Sequence, residues 1–211
     1  MTGDAVIGLD LDNTLVSYDD LFHALAVERG LIDGSAPKHK RIIRDLIRKV
    51  ADGEQHWRTL QALAYGGRMG DAALIDGVAD FIRECRARSL PVHIVSHRTL
   101  NAAADPHGAD LRAAAIEWMR ARGFFEVDGL GLDPSRVWFE STRVEKVARI
   151  RELGCTVFID DLEEVFLEPD FPGDVVKILY APDRDRTEAG SGPNLRVAAD
   201  WAAVREAVFG R

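Results

Sequence analysis

An apolar run ending in two acids constrains this chain more than any other stretch: Val6-Ile7-Gly8-Leu9-Asp10-Leu11-Asp12-Asn13-Thr14-Leu15. A run of this length reads as a strand buried within a parallel sheet. Alternate strand residues share a face, so Asp10 and Asp12 project together from its carboxyl end. Open α/β sheets place their ligands at that end. Two carboxylates held close resist joint ionisation unless a cation or a shared proton relieves them. The pair suits a metal site in which one acid attacks and the other shuttles a proton. The plainer alternative is two solvated acids that merely end a strand.

Strands and helices alternate along the rest of the chain, with one helical interruption. Tyr18 to Arg29, Lys38 to Val50 and Gln55 to Tyr65 all carry helical spacing. In the second of these, Ile42, Ile43, Leu46, Ile47 and Val50 form an apolar stripe opposite Lys and Arg. A short helical turn is expected around Ala72 to Leu74, then a helix from Gly77 to Arg88. Strands follow at 91–96, 136–140, 155–160 and 175–180, separated by helices from Asp110 to Arg122 and from a Ser141 cap to Leu153. Asp200 to Phe209 closes the chain as an amphipathic helix. The expected fold class is α/β, a doubly wound parallel sheet of Rossmann-like type over 1–16 and 76–211, with a small helical domain inserted at 17–75.

Composition excludes several classes. The chain has 211 residues, 46% of them hydrophobic, enough for a substantial core. Its net charge of −8 lacks the basic footprint of a nucleic-acid binder, so no nucleic-acid partner is expected. Cys85 and Cys155 sit in apolar contexts and give neither a disulfide framework nor a zinc pattern. No basic region leads into an apolar signal segment, and no apolar stretch has membrane-spanning length. A cytoplasmic protein with no membrane partner is the simplest expectation.

Each core strand brings chemistry to its carboxyl end. The first delivers Asp10 and Asp12, the second Ser96, and the fourth Asp160 and Asp161, while Lys146 lies on the helix leading into the fourth. Taken singly, a serine ending a strand is often a turn residue, and a lysine on a helix is usually solvated. Four separate segments converging on one sheet edge is a different matter.

These residues resemble the haloacid dehalogenase-like superfamily of aspartate-nucleophile phosphatases. Asp10-Leu11-Asp12-Asn13-Thr14 is similar to its first motif, Asp-x-Asp-x-Thr, and His93-Ile94-Val95-Ser96 to its second, an apolar strand ending in Ser or Thr. Lys146 fits the lone basic residue of the third motif. Val157-Phe158-Ile159-Asp160-Asp161 resembles the fourth, a pair of acids after a strand. The four occur in family order across the core, and the helical insertion resembles the family's small cap between motifs one and two.

The resemblance implies a magnesium-dependent phosphatase acting on a small phosphorylated metabolite, such as a phosphosugar or another phosphate monoester. Asp10 would be the nucleophile and Asp12 the general acid and base; family members that dehalogenate or pump ions generally lack an acid at the latter position. Mg²⁺ would be held by the Asp10 carboxylate, the Asp12 backbone carbonyl and Asp160. Ser96 and Lys146, with backbone N–H groups near Leu11 and His97, would hold the phosphoryl oxygens. Thr14 would order the turn and bond to Asp12. Asp161 and Glu164 are both candidates for supporting the metal.

Other positions stay open. Arg143, on the same helix, is a rival to Lys146, but facing solvent or a second substrate group is favoured for it. Arg98 and His97 either reach a distal part of the substrate or are ordinary surface choices. Trp57 and Arg58 face either a cleft or the inserted domain's own core, with core packing favoured for Trp57. The loop Ala104-Asp105-Pro106-His107-Gly108 is either an added lid or plain surface. Alternative functions are a non-catalytic binder of a phosphorylated ligand, a phosphotransferase, and a nucleotide or nucleic-acid end phosphatase. Oligomeric state is not readable from the sequence.

Overall fold

A computed structural model describes residues 5–105, 108–183 and 194–210 of the chain. In chain order the elements begin with β1 (Ile7–Leu9), β2 (Val16–Ser17), α1 (Asp19–Glu28), α2 (Lys40–Ile47) and α3 (Gly53–Tyr65). Next come β3 (Ala73–Leu74), α4 (Val78–Ala87), β4 (Val92–His97), α5 (Leu111–Ala121), β5 (Val137–Glu140) and α6 (Arg143–Glu152). The chain closes with β6 (Val157–Asp160), α7 (Glu163–Phe166), β7 (Val176–Tyr180), β8 (Leu195–Ala198) and α8 (Trp201–Phe209). Contacts group them into two compact units, Met1–Leu15, Ile75–Arg98 and Gly123–Arg211 in one, Val16–Leu74 and Thr99–Arg122 in the other. No helix among the described residues is long and apolar enough to cross a membrane.

The first unit is built on a six-stranded sheet in the order β5-β4-β1-β6-β7-β8. Every neighbouring pair is parallel. Parallel neighbours require crossover connections, and helices supply the covering layers. One layer rests on Val147 and Ile150 of α6, packed with Val95, Phe158, Leu179, Phe166 and Phe171. In another cluster Phe81 of α4 stacks on Phe209 and tilts against Trp201 of α8. Burying each such aromatic side chain contributes about 1.5–3 kcal/mol. The central position of β1 explains Gly8: a Cβ there would lie 2.3 Å from the Phe158 ring and 3.0 Å from Cys155 Sγ. The absent side chain is what lets Phe158 fill that face.

The second unit holds α1, α2, α3 and α5 with the two-stranded antiparallel ribbon β2-β3. Its centre is aromatic. Phe22 stacks on Trp57 at 4.7 Å between ring centroids, and Tyr18 meets Tyr65 edge-on at 4.8 Å. Lys40 Nζ sits over the Tyr18, Phe22 and Tyr65 rings and bonds Tyr65 Oη at 2.7 Å. Cation–π contact accounts for keeping an ammonium among rings.

Several local expectations change. The sequence assigns 99–122 to the sheet domain, but this segment joins the helical unit. Trp118 Nε1 donates to Ala72 O at 2.9 Å, Arg122 bonds the same carbonyl, and Leu111 packs beside Gly66. The turn expected at Ala72–Leu74 is a 3-10 turn at Met69–Asp71 followed by β3. The cap of α6 is Thr142, not Ser141, because Glu145 falls three residues after Thr142 and closes a reciprocal capping box. Of the loop 104–108, Pro106 and His107 lie outside the described residues.

Candidate active site

The site is assembled at the carboxyl ends of β1 and β6. Asp10 N donates to Ile159 O at 2.9 Å, so the ladder runs to the first acid before the chain turns away. Asn13 then adopts a left-handed φ of 59°, and Leu15 N donates back to Leu11 O at 2.9 Å. Asparagine tolerates that conformation better than most residues, which explains its place in the turn. Thr14 Oγ1 donates to Asp10 Oδ2 at 3.2 Å, where the sequence pointed to Asp12. In this turn the carboxylate that follows the ladder lies nearer the threonine.

Lys146 is the centre of the group. The capping box fixes the first turn of α6, and Lys146 follows Glu145 directly within it. Its Nζ donates to Asp10 Oδ1 at 2.6 Å and to Asp160 Oδ2 at 2.7 Å, with all three residues buried. Asp160 Oδ1 in turn accepts from Leu162 N at 3.0 Å. Carboxylate oxygens of Asp10, Asp160 and Asp161 all lie within 4.8 Å of one another. Asp161 is also tied to the first turn, since Asn13 Nδ2 donates to its Oδ2 at 3.3 Å. Thus Asp161 belongs to the acid group itself, while Glu164 lies exposed on α7.

Electrostatics follow from this crowding. The Asp10 carboxyl is pushed up to about 7, chiefly by burial and further by Asp160 and Asp12, against the downward pull of Lys146. Burial works against the Lys146 ammonium too, yet Asp10 and Asp160 outweigh it and hold this lysine charged beyond its usual range. Among the described residues, Lys146 pairs with Asp10 and Asp160, and Arg98 with Asp12. Asp10, Asp160 and Asp161 remain a cluster of three acids around one shared ammonium. The donors are all oxygen, the set that a hard ion such as Mg²⁺ takes. The residues fit such an ion.

Ser96 stands on the neighbouring strand β4. It is 1% exposed, and its Oγ has no hydrogen-bond partner among the described residues. A buried hydroxyl without a partner is costly, and this one stands at the sheet edge that carries the acids. Two residues on, Arg98 is 3% exposed and its guanidinium grips Asp12, Nη2 to Oδ1 at 2.5 Å and Nε to Oδ2 at 3.3 Å. The sequence offered Arg98 as a substrate contact or an ordinary surface residue, and it is buried rather than solvent-facing. Arg98 lies just beyond β4, and the buried–exposed–buried alternation of Ser96, His97 and Arg98 carries the strand's face on to it.

Other candidates fall elsewhere. The His97 side chain is exposed and its Nε2 donates to Ser141 O at 3.0 Å. Leu11 is fully buried. Arg143 is exposed and pairs with Glu168 at 3.0 Å, leaving Lys146 as the cation within the acid group. Trp57 and Arg58 belong to the second unit. There, a recess of about 770 Å³ is lined by Lys40, Arg44, Arg48, Trp57, Arg58 and Tyr65, among others. Trp57 is nevertheless 4% exposed and mostly core, and Arg58 bonds Glu54.

No protein-family model and no curated protein matches the sequence. Solved structures do match in fold. A haloacid dehalogenase-like family hydrolase from Xanthomonas campestris is 17% identical with a TM-score of 0.51, over 97% of this chain and 96% of that one. A HAD family hydrolase from Deinococcus radiodurans, determined with bound phosphate and sodium, is 17% identical with a TM-score of 0.55, over 99% and 96%. Protein tyrosine kinase A of Mycobacterium tuberculosis is 13% identical with a TM-score of 0.63, over 99% and 100%. The chain has the fold of the haloacid dehalogenase-like hydrolases.

Proposed function

We propose that this chain is a haloacid dehalogenase-like phosphatase, hydrolysing a small phosphate monoester with Mg²⁺ through a phosphorylated Asp10. The observation that carries this reading is the buried contact of Lys146 with both Asp10 and Asp160, beside Asp161 and the partnerless Ser96 hydroxyl. A purely structural cluster has no need of an unsatisfied buried hydroxyl.

In this reading, Asp10 attacks phosphorus as the bond to the leaving oxygen breaks, and Asp12 gives that oxygen its proton. Water then attacks the aspartyl-phosphate, Asp12 takes the proton released, and the bond to Asp10 breaks. Lys146 and Ser96 hold the phosphoryl oxygens while charge moves among them. Asp10, Asp160 and Asp161 would hold the magnesium ion, which when bound neutralises charge between the nucleophile and an anionic substrate. The phosphate and sodium of the Deinococcus neighbour, an anion with a hard cation, match in kind what these residues suit. Asp12 favours phosphoryl chemistry over dehalogenation, which requires no acid at that place.

The test is phosphate release from a panel of small monoesters, with Mg²⁺ or with chelator, comparing the native chain with Asp10→Asn. Release that requires both Mg²⁺ and Asp10 is expected. Turnover by Asp10→Asn at the native rate would rule out the covalent route, and no release from any ester would point to a binding role.

A further inference from the structure

Arg98 is a buried cation for which the chemistry above has no use. Its backbone N–H donates to Glu140 O at 2.8 Å, which pins the residue just beyond β4. Ser96 and Arg98 lie two apart and so share a face, while His97 between them is exposed. One strand end therefore delivers a hydroxyl to the phosphoryl position and a guanidinium to Asp12. Burying a guanidinium is strongly unfavourable without a partner, and here the partner is the carboxylate assigned to proton transfer. Both oxygens of Asp12 are engaged by one planar fork, which fixes the direction of the carboxylate as well as its place.

We propose that Arg98 is a positioning residue for proton donation, resting on the phosphatase reading. By holding Asp12 in one orientation it sets which leaving groups the site can expel. An alkoxide is a poor leaving group and must receive the Asp12 proton as its bond to phosphorus breaks. A nitrophenolate departs as the anion and needs no proton. Arg98 therefore governs reactivity toward alkyl esters and has little influence on the first step with activated aryl esters. Hydrolysis of the aspartyl-phosphate is common to both, and there Asp12 acts as base.

The experiment compares native chain, Arg98→Lys and Arg98→Met on p-nitrophenyl phosphate and glycerol phosphate, both with saturating Mg²⁺. The ratio kcat/KM reports the step in which the leaving group departs. For both variants it should fall by about 10²-fold on glycerol phosphate, the lower range for a lost general acid. On p-nitrophenyl phosphate it should change by less than about 3-fold, since that step uses no proton. The kcat values on both esters should fall, with a burst of one nitrophenolate per chain as the phosphorylated form accumulates. Arg98→Lys keeps the buried charge but not the fork, so it covers the case in which Arg98→Met fails to fold. Equal losses of kcat/KM on the two esters would mean a general structural role and overturn the proposal. So would full alkyl-ester activity in Arg98→Lys, because charge alone would then suffice. Where another alkyl ester of the panel is turned over faster, it takes the place of glycerol phosphate. If the folded native chain hydrolyses no ester of the panel, the phosphatase reading falls, and this role with it.

Discussion

Lys146 Nζ and Asp10 Oδ1 lie 2.6 Å apart although 136 positions separate the two residues in sequence. The same ammonium reaches Asp160, so one buried cation serves two buried acids. Replacing it by methionine leaves those carboxyls facing each other without compensation. Removing one partner of a buried pair costs about 3–5 kcal/mol. In Lys146→Met the Asp10 carboxyl loses the charge that pulls it down, so it keeps its proton to higher pH in the folded state and stability falls more steeply as pH rises. Urea melts in chelator should therefore show a larger deficit at pH 8 than at pH 5, with phosphate release abolished. A deficit that is the same at both pH values would mean that Lys146 acts through packing alone.

Asp10 carries its own stability signature. Burial pushes its carboxyl up to about 7, well above the 3.8 of an unhindered aspartate. Below about pH 4 the group is protonated in folded and unfolded chains alike and contributes nothing. Between about 4 and 7 only the unfolded chain releases the proton, so the native protein loses stability as pH rises. Asp10→Asn removes that slope while keeping the side chain's shape. In chelator the variant should gain on the native chain from pH 4 to pH 8, although its activity is gone. Parallel pH profiles for the two proteins would contradict the burial assigned to Asp10.

The cysteines should be chemically silent. Cys85 and Cys155 are buried, and desolvation pushes both thiols up to about 12. Raising an acid's pKa depletes its anion, and the thiolate is the nucleophile. At pH 8 an aromatic disulfide reagent should therefore leave the folded chain unlabelled for many minutes and titrate two thiols once urea is added. Fast labelling of either thiol without denaturant would show that its element opens locally.

Much of this arrangement was legible because the chemistry sits on the most regular elements. Apolar runs announced β1, β4 and β6, and acids placed just beyond such runs could hardly lie anywhere but at one sheet edge. Lys146 was readable as the basic residue of a family pattern, though its double contact depends on the capping box that aims the first turn of α6. Strand β8 is not legible in the sequence because Leu195-Arg196-Val197-Ala198 is short and carries a charge. It becomes a strand by pairing with β7, a contact between separate segments. Helical spacing announced α5 but says nothing about which unit a helix joins. That is decided by contacts such as Trp118 Nε1 to Ala72 O. Arg98 was visible as a candidate, yet its grip on Asp12 spans 86 positions and depends on how β4 ends beside β1.

The crowding of acids at the site gives the last prediction. Asp10, Asp160 and Asp161 present oxygens within 4.8 Å of one another, a spacing that one cation can bridge. A divalent ion that binds only the folded chain stabilises it by about 2.7 kcal/mol at a hundredfold excess over its Kd. In a chain of this length that corresponds to roughly 5–10 °C in Tm. Thermal melts in Mg²⁺ against chelator should show this rise for the native protein. Asp161→Asn is the sharpest probe, because Asp161 is only partly buried and its removal leaves the Lys146 contacts in place. It should shrink the shift substantially, whereas Glu164→Gln, altered on the exposed side of α7, should keep it whole. A shift that survives Asp161→Asn but vanishes in Glu164→Gln would move the ion away from this group of acids. No shift in the native chain would mean that Lys146 and Arg98 already satisfy the site.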